Sequence, residues 1–200
     1  MDSMPTAITH LLYLHGFRSS PQSTKARKMA AWAGTQRPDI VWACPQLPPS
    51  PQAAMALILR TIEHWPRASM AVIGSSLGGF YATAVAEHTG CRAVLLNPAV
   101  DPARNLKHYI GETTAWHSDD RFVFRAEFVD ELQSLTIATL TQPDRYFAII
   151  AKGDEVLSWQ EMRERYRGSP MKLIEGSDHA ISDFDDHLPD VLRFLGLPAQ

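Results

Sequence analysis

The amino-acid sequence predicts an α/β protein: a mostly parallel sheet of about six strands with helices on both of its faces. Short apolar runs, several of them β-branched, recur along the chain, and most are continuous in hydrophobicity rather than alternating. Such runs are typical of strands that are buried on both faces. Helical patterns separate the runs, and strands that alternate with helices favour a doubly wound parallel sheet.

Each predicted element follows from a local pattern. The predicted strands span residues 8–15, 39–45, 69–75, 92–98, 145–153 and 171–176. The predicted helices span residues 23–34, 52–65, 77–90, 158–166 and 185–196. Residues 99–144 are too many for a simple crossover, so we interpret them as a helical insertion before the fifth strand, over one edge of the sheet. The length of 200 residues suits a single domain over residues 1–200.

The composition argues against several classes of protein. The chain is 45% hydrophobic and 20% charged, as is ordinary for a globular protein. Its net charge of −3, without a basic run, argues against nucleic acid as a partner. Because no apolar stretch approaches the roughly 20 residues of a membrane helix, we expect no membrane partner. The N-terminal stretch lacks the basic region of a signal peptide. Cys44 and Cys91 are expected to be buried free thiols, which favours a cytoplasmic location.

A serine on a tight, glycine-rich turn is the first sign of chemistry. Residues 74–78, GSSLG, match the G-x-S-x-G pattern between a predicted strand and a predicted helix. A nucleophilic serine must project from such a turn, and larger flanking side chains would collide with the strand and the helix. We therefore predict that Ser76 is a nucleophile. The alternative is a structural turn that uses serine for its small size.

Candidates for the base and the acid follow two later strands. A serine hydroxyl is a poor nucleophile without a base. Asp154 follows the fifth predicted strand, and His179 follows the sixth. The order Ser76, Asp154, His179 is that of α/β-hydrolases, and all three would lie at the carboxyl edge of the sheet. Glu155 stays open as an alternative to Asp154, because either carboxylate could orient an imidazole.

The loop after the first strand predicts an oxyanion hole. It places Phe17 at the mouth of the sheet, where its backbone N–H can join that of Leu77 in binding an oxyanion. His15 is predicted to shape this loop by hydrogen bonding rather than to act as a base. The histidines show no metal-ligand spacing, so we expect no metal, and the chemistry requires no cofactor. Candidates for substrate binding are Arg18, Phe80, Tyr81, Tyr109 and Trp116. Aromatic residues near helices are more often part of the core.

Five segments make the chain resemble the YqiA-like esterases, a bacterial family of small α/β-hydrolases. They are, in order, YLHGFRSSPQSTKA, IGSSLGGFYAT, LLNPAV, KGDEVLSW and EGSDHAI. The resemblance implies an α/β-hydrolase fold with a trimmed sheet. It also implies hydrolysis of a small-molecule carboxylic ester or acyl thioester, with Ser76, Asp154 and His179 as a catalytic triad. Arg18 stands where that family is expected to have a smaller polar residue, which bears on substrate preference.

Two other functions stay open at this point. The same scaffold supports acyl transfer and other reactions, and it can also serve as a non-catalytic binding module. The intact set of Ser76, Asp154 and His179 favours an enzyme, because a decayed site would be expected to lose at least one of the three.

Overall fold

Outside the insertion of residues 99–144, the strands and helices follow the order that the sequence predicts. The computed structural model of the chain describes residues 7–114 and 121–199. Its strands are β1 (His10–Leu14), β2 (Val41–Ala43), β3 (Met70–Ser75), β4 (Arg92–Leu96), β5 (Gly111–Thr114), β6 (Arg121–Phe124), β7 (Tyr146–Ala151) and β8 (Met171–Ile174). Its helices are α1 (Thr24–Gln36), α2 (Pro51–Thr61), α3 (Leu77–Thr89), α4 (Pro102–Leu106), α5 (Glu127–Ser134), α6 (Trp159–Arg165) and α7 (Leu188–Leu195). The short strands and helices of the insertion lie between β4 and β7.

Six parallel strands form the main sheet, in the order β2-β1-β3-β4-β7-β8. The strand order changes direction at β1, which pairs with β2 on one side and with β3 on the other. Leu14 at the end of β1 is opposite Gly74 near the end of β3. The loop after β1 and the turn after β3 therefore leave the sheet side by side, at the switch point where such sheets bind ligands.

Helices cover both faces of the sheet, as predicted. In β1, Leu12 and Leu14 face a core built with α2 to α6, whereas Leu11 and Tyr13 face a core built with α1 and α7. All six residues of β3 are buried, which agrees with its continuous apolar sequence. Within residues 7–114 and 121–199, no helix is both long enough and apolar enough to cross a membrane.

The insertion contains a β-hairpin as well as helices. Strands β5 and β6 pair antiparallel, with Gly111 opposite Phe124 and Thr114 opposite Arg121. The sequence predicts a helical insertion here, and the hairpin is a difference from that prediction. The sequence of β5, GETT, has no apolar residue and alternates between half-buried and exposed positions, so it lacks the hydrophobic signal of a strand. The candidate Trp116 lies outside the described residues, and its role stays a prediction.

Candidate active site

Ser76 occupies the sharp turn between β3 and α3. Its φ and ψ of 56° and −120° lie in a region that a residue with a side chain rarely adopts, at a cost of about 1–3 kcal/mol. The flanking glycines are required by close packing. A Cβ at Gly74 would lie 2.2 Å from the Gly78 carbonyl oxygen, and one at Gly78 would lie 1.9 Å from the Leu14 carbonyl oxygen. The G-x-S-x-G spacing is therefore a steric requirement of this turn.

The side chains of Ser76, His179 and Asp154 form one hydrogen-bonded chain. His179 Nε2 lies 3.0 Å from Ser76 Oγ, and His179 Nδ1 lies 2.8 Å from Asp154 Oδ2. The Asp154 side chain is 0% exposed and that of His179 is 22% exposed. A carboxylate that accepts the Nδ1–H bond leaves Nε2 available to take a proton from the hydroxyl. The structure thus brings together the three residues that the sequence analysis singled out.

Asp154 and Glu155 take different positions, although the sequence left both open as partners of the imidazole. Asp154 Oδ1 accepts the backbone N–H groups of Val156 and Leu157, each at 2.8 Å, which fixes the carboxylate in its loop. Glu155 Oε2 instead accepts the backbone N–H of His179 at 3.0 Å. The imidazole is therefore oriented by Asp154, whereas Glu155 holds the main chain of the histidine.

The loop after β1 lies against the Ser76 side chain. A Cβ at Gly16 would lie 3.2 Å from Ser76 Cβ and 3.6 Å from Ser76 Oγ. The backbone N–H groups of Phe17 and Leu77 meet no acceptor in the described parts of the chain. Leu77 is the first residue of α3, and the first amides of a helix favour negative charge. An available donor on the residue that follows Ser76, and another on the loop that lies against it, are what an oxyanion hole needs.

His15 holds this loop in place. The Leu47 backbone N–H donates to His15 Nε2 at 3.0 Å, and His15 Nδ1 lies 2.9 Å from the Gly16 carbonyl oxygen. The ring is buried, and burial lowers the pKa of the imidazole. A neutral ring with Nδ1 protonated satisfies both contacts. Since both nitrogens are engaged, His15 shapes the loop, in keeping with the sequence analysis.

Phe17 and Arg18 connect the same loop to the insertion. The Phe17 ring makes edge contacts with Tyr109 and Phe124, with ring centroids 5.3 Å and 5.4 Å apart. The Arg18 guanidinium lies 6.0 Å from the centroid of the Tyr109 ring and donates to the carbonyl oxygen and the hydroxyl of Thr114. Arg18 and Tyr109 therefore lie at the junction of the loop after β1 and the β5–β6 hairpin.

The remaining substrate-binding candidates lie on α3. Phe80 is 6% exposed and lines a small cavity together with Ala99 and Tyr166. Tyr81 is 2% exposed, and burial raises the pKa of its hydroxyl. Tyr81 and Phe80 both belong to the core beneath α3. The cavity that Phe80 lines is linked to the Ser76 turn through Ala99, whose backbone N–H donates to the Ser76 carbonyl oxygen at 3.0 Å.

The described part of the chain contains no group of three histidine, cysteine, aspartate or glutamate side chains arranged to hold a metal ion. Both cysteines are free. Cys91 is buried as expected, whereas Cys44 is half-buried. Burial raises the pKa of the Cys44 thiol to about 12 and raises that of Cys91 as well. Both thiols are therefore protonated and weakly nucleophilic at neutral pH.

The sequence analysis did not single out Asn97, which follows β4. Asn97 Nδ2 donates to the carbonyl oxygens of Asp178 and His179, and Oδ1 accepts the backbone N–H of Ala151. A signal was present, because Asn97 is a polar residue directly after an apolar strand, at the same edge of the sheet as Ser76. The contacts themselves join residues that are far apart in sequence, so no local pattern could predict them.

Lys25, near the start of α1, was also missed. Its Nζ donates to the carbonyl oxygen of Ala180, the residue after His179. Burial lowers the pKa of the Lys25 ammonium to about 8, although the Asp178 and Asp154 carboxylates act in the opposite direction. The folded protein therefore holds a partly buried ammonium group beside the proposed base. It binds the proton of Lys25 less tightly than the unfolded chain does.

We expect Lys25→Met to remove a pH-dependent component of stability. Between pH 8 and 10 the unfolded chain keeps the lysine proton that the folded protein releases, so this group makes the folded state more stable as pH rises. From pH 7.5 to 9.5 the free energy of unfolding of wild type should gain about 2 kcal/mol relative to the variant. Urea denaturation of both proteins at a series of pH values measures this difference. The cysteines and tyrosines, which also lose protons in this range, are present in both proteins and cancel in the comparison. A difference independent of pH would contradict the lowered pKa of Lys25.

The fold is shared with several solved structures. A protein from Agrobacterium vitis S4 matches with a TM-score of 0.73 and 15% identity, covering 95% of this chain and 90% of that chain. Alpha/beta hydrolase domain-containing protein 10 from mouse matches with a TM-score of 0.67 and 15% identity, covering 93% and 90%. Est1E from Butyrivibrio proteoclasticus matches with a TM-score of 0.64 and 13% identity, covering 94% and 87%. The likeness shows that the chain has the α/β-hydrolase fold, as the sequence analysis predicted.

Family membership follows from the sequence itself. The family model of the uncharacterised protein family UPF0227 matches residues 10–196. This range includes the Ser76 turn, the loops of Asp154 and His179, and all six strands of the main sheet. The chain therefore belongs to UPF0227, the YqiA-like family that its motifs resemble.

Proposed function

We propose that the protein is a serine esterase that hydrolyses small-molecule carboxylic esters or acyl thioesters through an acyl-enzyme. The observation that carries the proposal is the hydrogen-bonded chain of Ser76, His179 and Asp154, with distances of 3.0 Å and 2.8 Å. The available N–H groups of Phe17 and Leu77 beside it support the same chemistry. The α/β-hydrolase fold and the membership of UPF0227 agree with it.

In the first half of the reaction, Ser76 Oγ attacks the acyl carbonyl carbon and His179 Nε2 takes the hydroxyl proton. Asp154 keeps the proton of the neutral ring on Nδ1 and stabilises the imidazolium that forms. The backbone N–H groups of Phe17 and Leu77 bind the oxyanion, and each such donor contributes about 3 kcal/mol in the transition state. The imidazolium then gives its proton to the departing alcohol or thiol, which leaves an ester on Ser76.

In the second half, water takes the place of the leaving group. His179 Nε2 accepts a proton from water as the oxygen attacks the acyl carbon, and the oxyanion forms again at the same two amides. The tetrahedral intermediate collapses, His179 returns the proton to Ser76 Oγ, and the carboxylic acid leaves. These steps need no cofactor. We place the activity in the cytoplasm, an inference supported by the free state of both cysteines.

Labelling with a fluorophosphonate tests this proposal most directly. The probe phosphonylates only a serine that a neighbouring base activates, so we expect wild-type protein to carry the adduct on Ser76. Peptide mapping by mass spectrometry locates the adduct, and the neighbouring Ser75 serves as the internal control. Folded wild-type protein without an adduct would overturn the proposal in favour of a binding module. Product analysis with an added alcohol acceptor separates hydrolysis from acyl transfer.

A further inference from the structure

Three consecutive carbonyl groups of the segment that carries His179 accept hydrogen bonds from side chains. Asn97 Nδ2 donates to the carbonyl oxygens of Asp178 and His179, at 3.0 Å and 3.1 Å. Lys25 Nζ donates to the carbonyl oxygen of Ala180. The main chain on both sides of the imidazole is thus held by side chains from other elements, rather than by strand or helix pairing of its own.

Asn97 joins this segment to the strand that leads to Asp154. Its Oδ1 accepts the backbone N–H of Ala151, the last residue of β7, at 2.8 Å. The preceding residue, Leu96, accepts the backbone N–H of Ser76 at 3.0 Å. One buried amide and its neighbour therefore contact the main chain beside all three members of the proposed triad.

The conformation of Asn97 suits this role. The residue is 0% exposed, and its φ of 43° lies in the left-handed region, which asparagine tolerates better than most residues do. The side-chain nitrogen has two carbonyl acceptors, and the side-chain oxygen has a donor. A buried amide that is bonded at both its nitrogen and its oxygen fixes its partners relative to one another, because separating them leaves a buried polar group unpaired.

We propose that Asn97 is a positioning residue, whose side-chain amide sets the distance between His179 Nε2 and Ser76 Oγ by fixing residues 178–179 against the end of β7. The inference rests on the proposed function, because it concerns the geometry of the same site. The hydrogen bonds that the Asn97 side chain makes in the described part of the chain all go to main-chain groups, so it acts through the main chain of His179. A displacement of about 1 Å at a reacting group can cost about 100-fold in rate.

Two variants of Asn97 and one control test this role. Asn97→Asp keeps the size and the bond from Ala151, but it turns a carboxylate oxygen toward two carbonyl oxygens. Asn97→Gly removes the side chain and is compatible with the positive φ, which provides a second variant if the first one folds poorly. The control is Asn105→Asp on α4, where the asparagine side chain accepts a 3.4 Å hydrogen bond from Arg104 Nε and makes no other within residues 7–114 and 121–199.

Labelling rate and steady-state kinetics give the main readouts. In both Asn97 variants we expect the rate of fluorophosphonate labelling at Ser76, and kcat for p-nitrophenyl acetate, to fall about 100-fold while KM stays within about twofold. In Asn97→Asp the midpoint of the labelling rate against pH should rise, because a nearby negative charge favours the imidazolium. Amide hydrogen exchange should increase in the peptide that covers residues 176–184. Asn105→Asp should behave like wild type in each measurement.

The outcomes separate the two proposals. If wild type is labelled and both Asn97 variants keep its labelling rate, pH midpoint and kcat, the positioning role is overturned, even where the melting temperature falls. In that case the proposed esterase function still stands. Folded wild type that is not labelled at all would overturn the proposed function, and the positioning role with it.

Discussion

Alanine at either Ser76 or His179 is expected to lower kcat for p-nitrophenyl acetate about 10⁶-fold while leaving the protein folded. His179 Nε2 lies 3.0 Å from Ser76 Oγ, so each residue depends on the other for its function. The double variant should therefore be no slower than either single one. Initial rates over long incubations measure these losses, and circular dichroism checks the fold. Losses that multiply in the double variant would contradict a shared role.

The adjacent carboxylates of Asp154 and Glu155 offer a matched comparison that tests the same proposed catalytic residues. Asp154→Asn should lower kcat about 10⁴-fold, because an amide no longer stabilises the imidazolium and favours the wrong tautomer. Glu155→Gln should cost at most about tenfold, the equivalent of one weakened hydrogen bond to the His179 main chain. Equal losses in the two variants would show that Asp154 is not the residue that orients the imidazole.

Gly78→Ala is expected to lower the free energy of unfolding by more than about 4 kcal/mol, which few single substitutions do. The added Cβ would lie 1.9 Å from the Leu14 carbonyl oxygen and 2.7 Å from that of His15. Both contacts are with main chain at the end of β1, a central strand paired on both sides. The helix α3 would therefore have to move away from the sheet. Urea denaturation measures the loss.

Gly34→Ala provides the control for this substitution. Gly34 lies inside α1, and a Cβ there would meet nothing within 4 Å. Alanine at such a position should raise the free energy of unfolding by about 0.5–1 kcal/mol, because glycine is the more flexible residue in the unfolded chain. A Gly78→Ala protein as stable as wild type would contradict the close approach of α3 to β1.

The structure was best predicted around Ser76, where the hydrophobic pattern of the sequence and the steric needs of a nucleophilic serine point to the same elements. The apolar run of β3 and the glycines beside Ser76 specify a strand, a turn and a helix with little ambiguity. The end of α1 was less well predicted. The sequence predicts that this helix ends at Gly34, but it continues to Gln36, because a single exposed glycine costs a helix only about 1 kcal/mol.

What the sequence could not predict depends on contacts between distant segments. The sequence favours Asp154 over Glu155 only because Asp154 comes first after the glycine turn. Which carboxylate reaches the imidazole depends on how the loops after β7 and β8 pack. Close packing of these loops is visible at Gly153, where a Cβ would lie 2.2 Å from the Ser177 carbonyl oxygen. Asn97 lies 81 and 82 residues along the chain from Asp178 and His179, to which its side chain donates. These contacts are likewise set only by the folded sheet.

The distance along the chain between Ser76 and His179 has a consequence for biosynthesis. The two side chains are 103 residues apart in sequence, and bacterial or eukaryotic ribosomes add about 5–20 residues per second. The Ser76 turn is therefore synthesised several seconds before His179, its proposed base. Until β8 and the loop after it have left the ribosome, the hydroxyl has no base to activate it. A nascent chain, or a fragment cleaved before β8, would accordingly carry an inert serine, and its reactivity would report completed folding of the sheet.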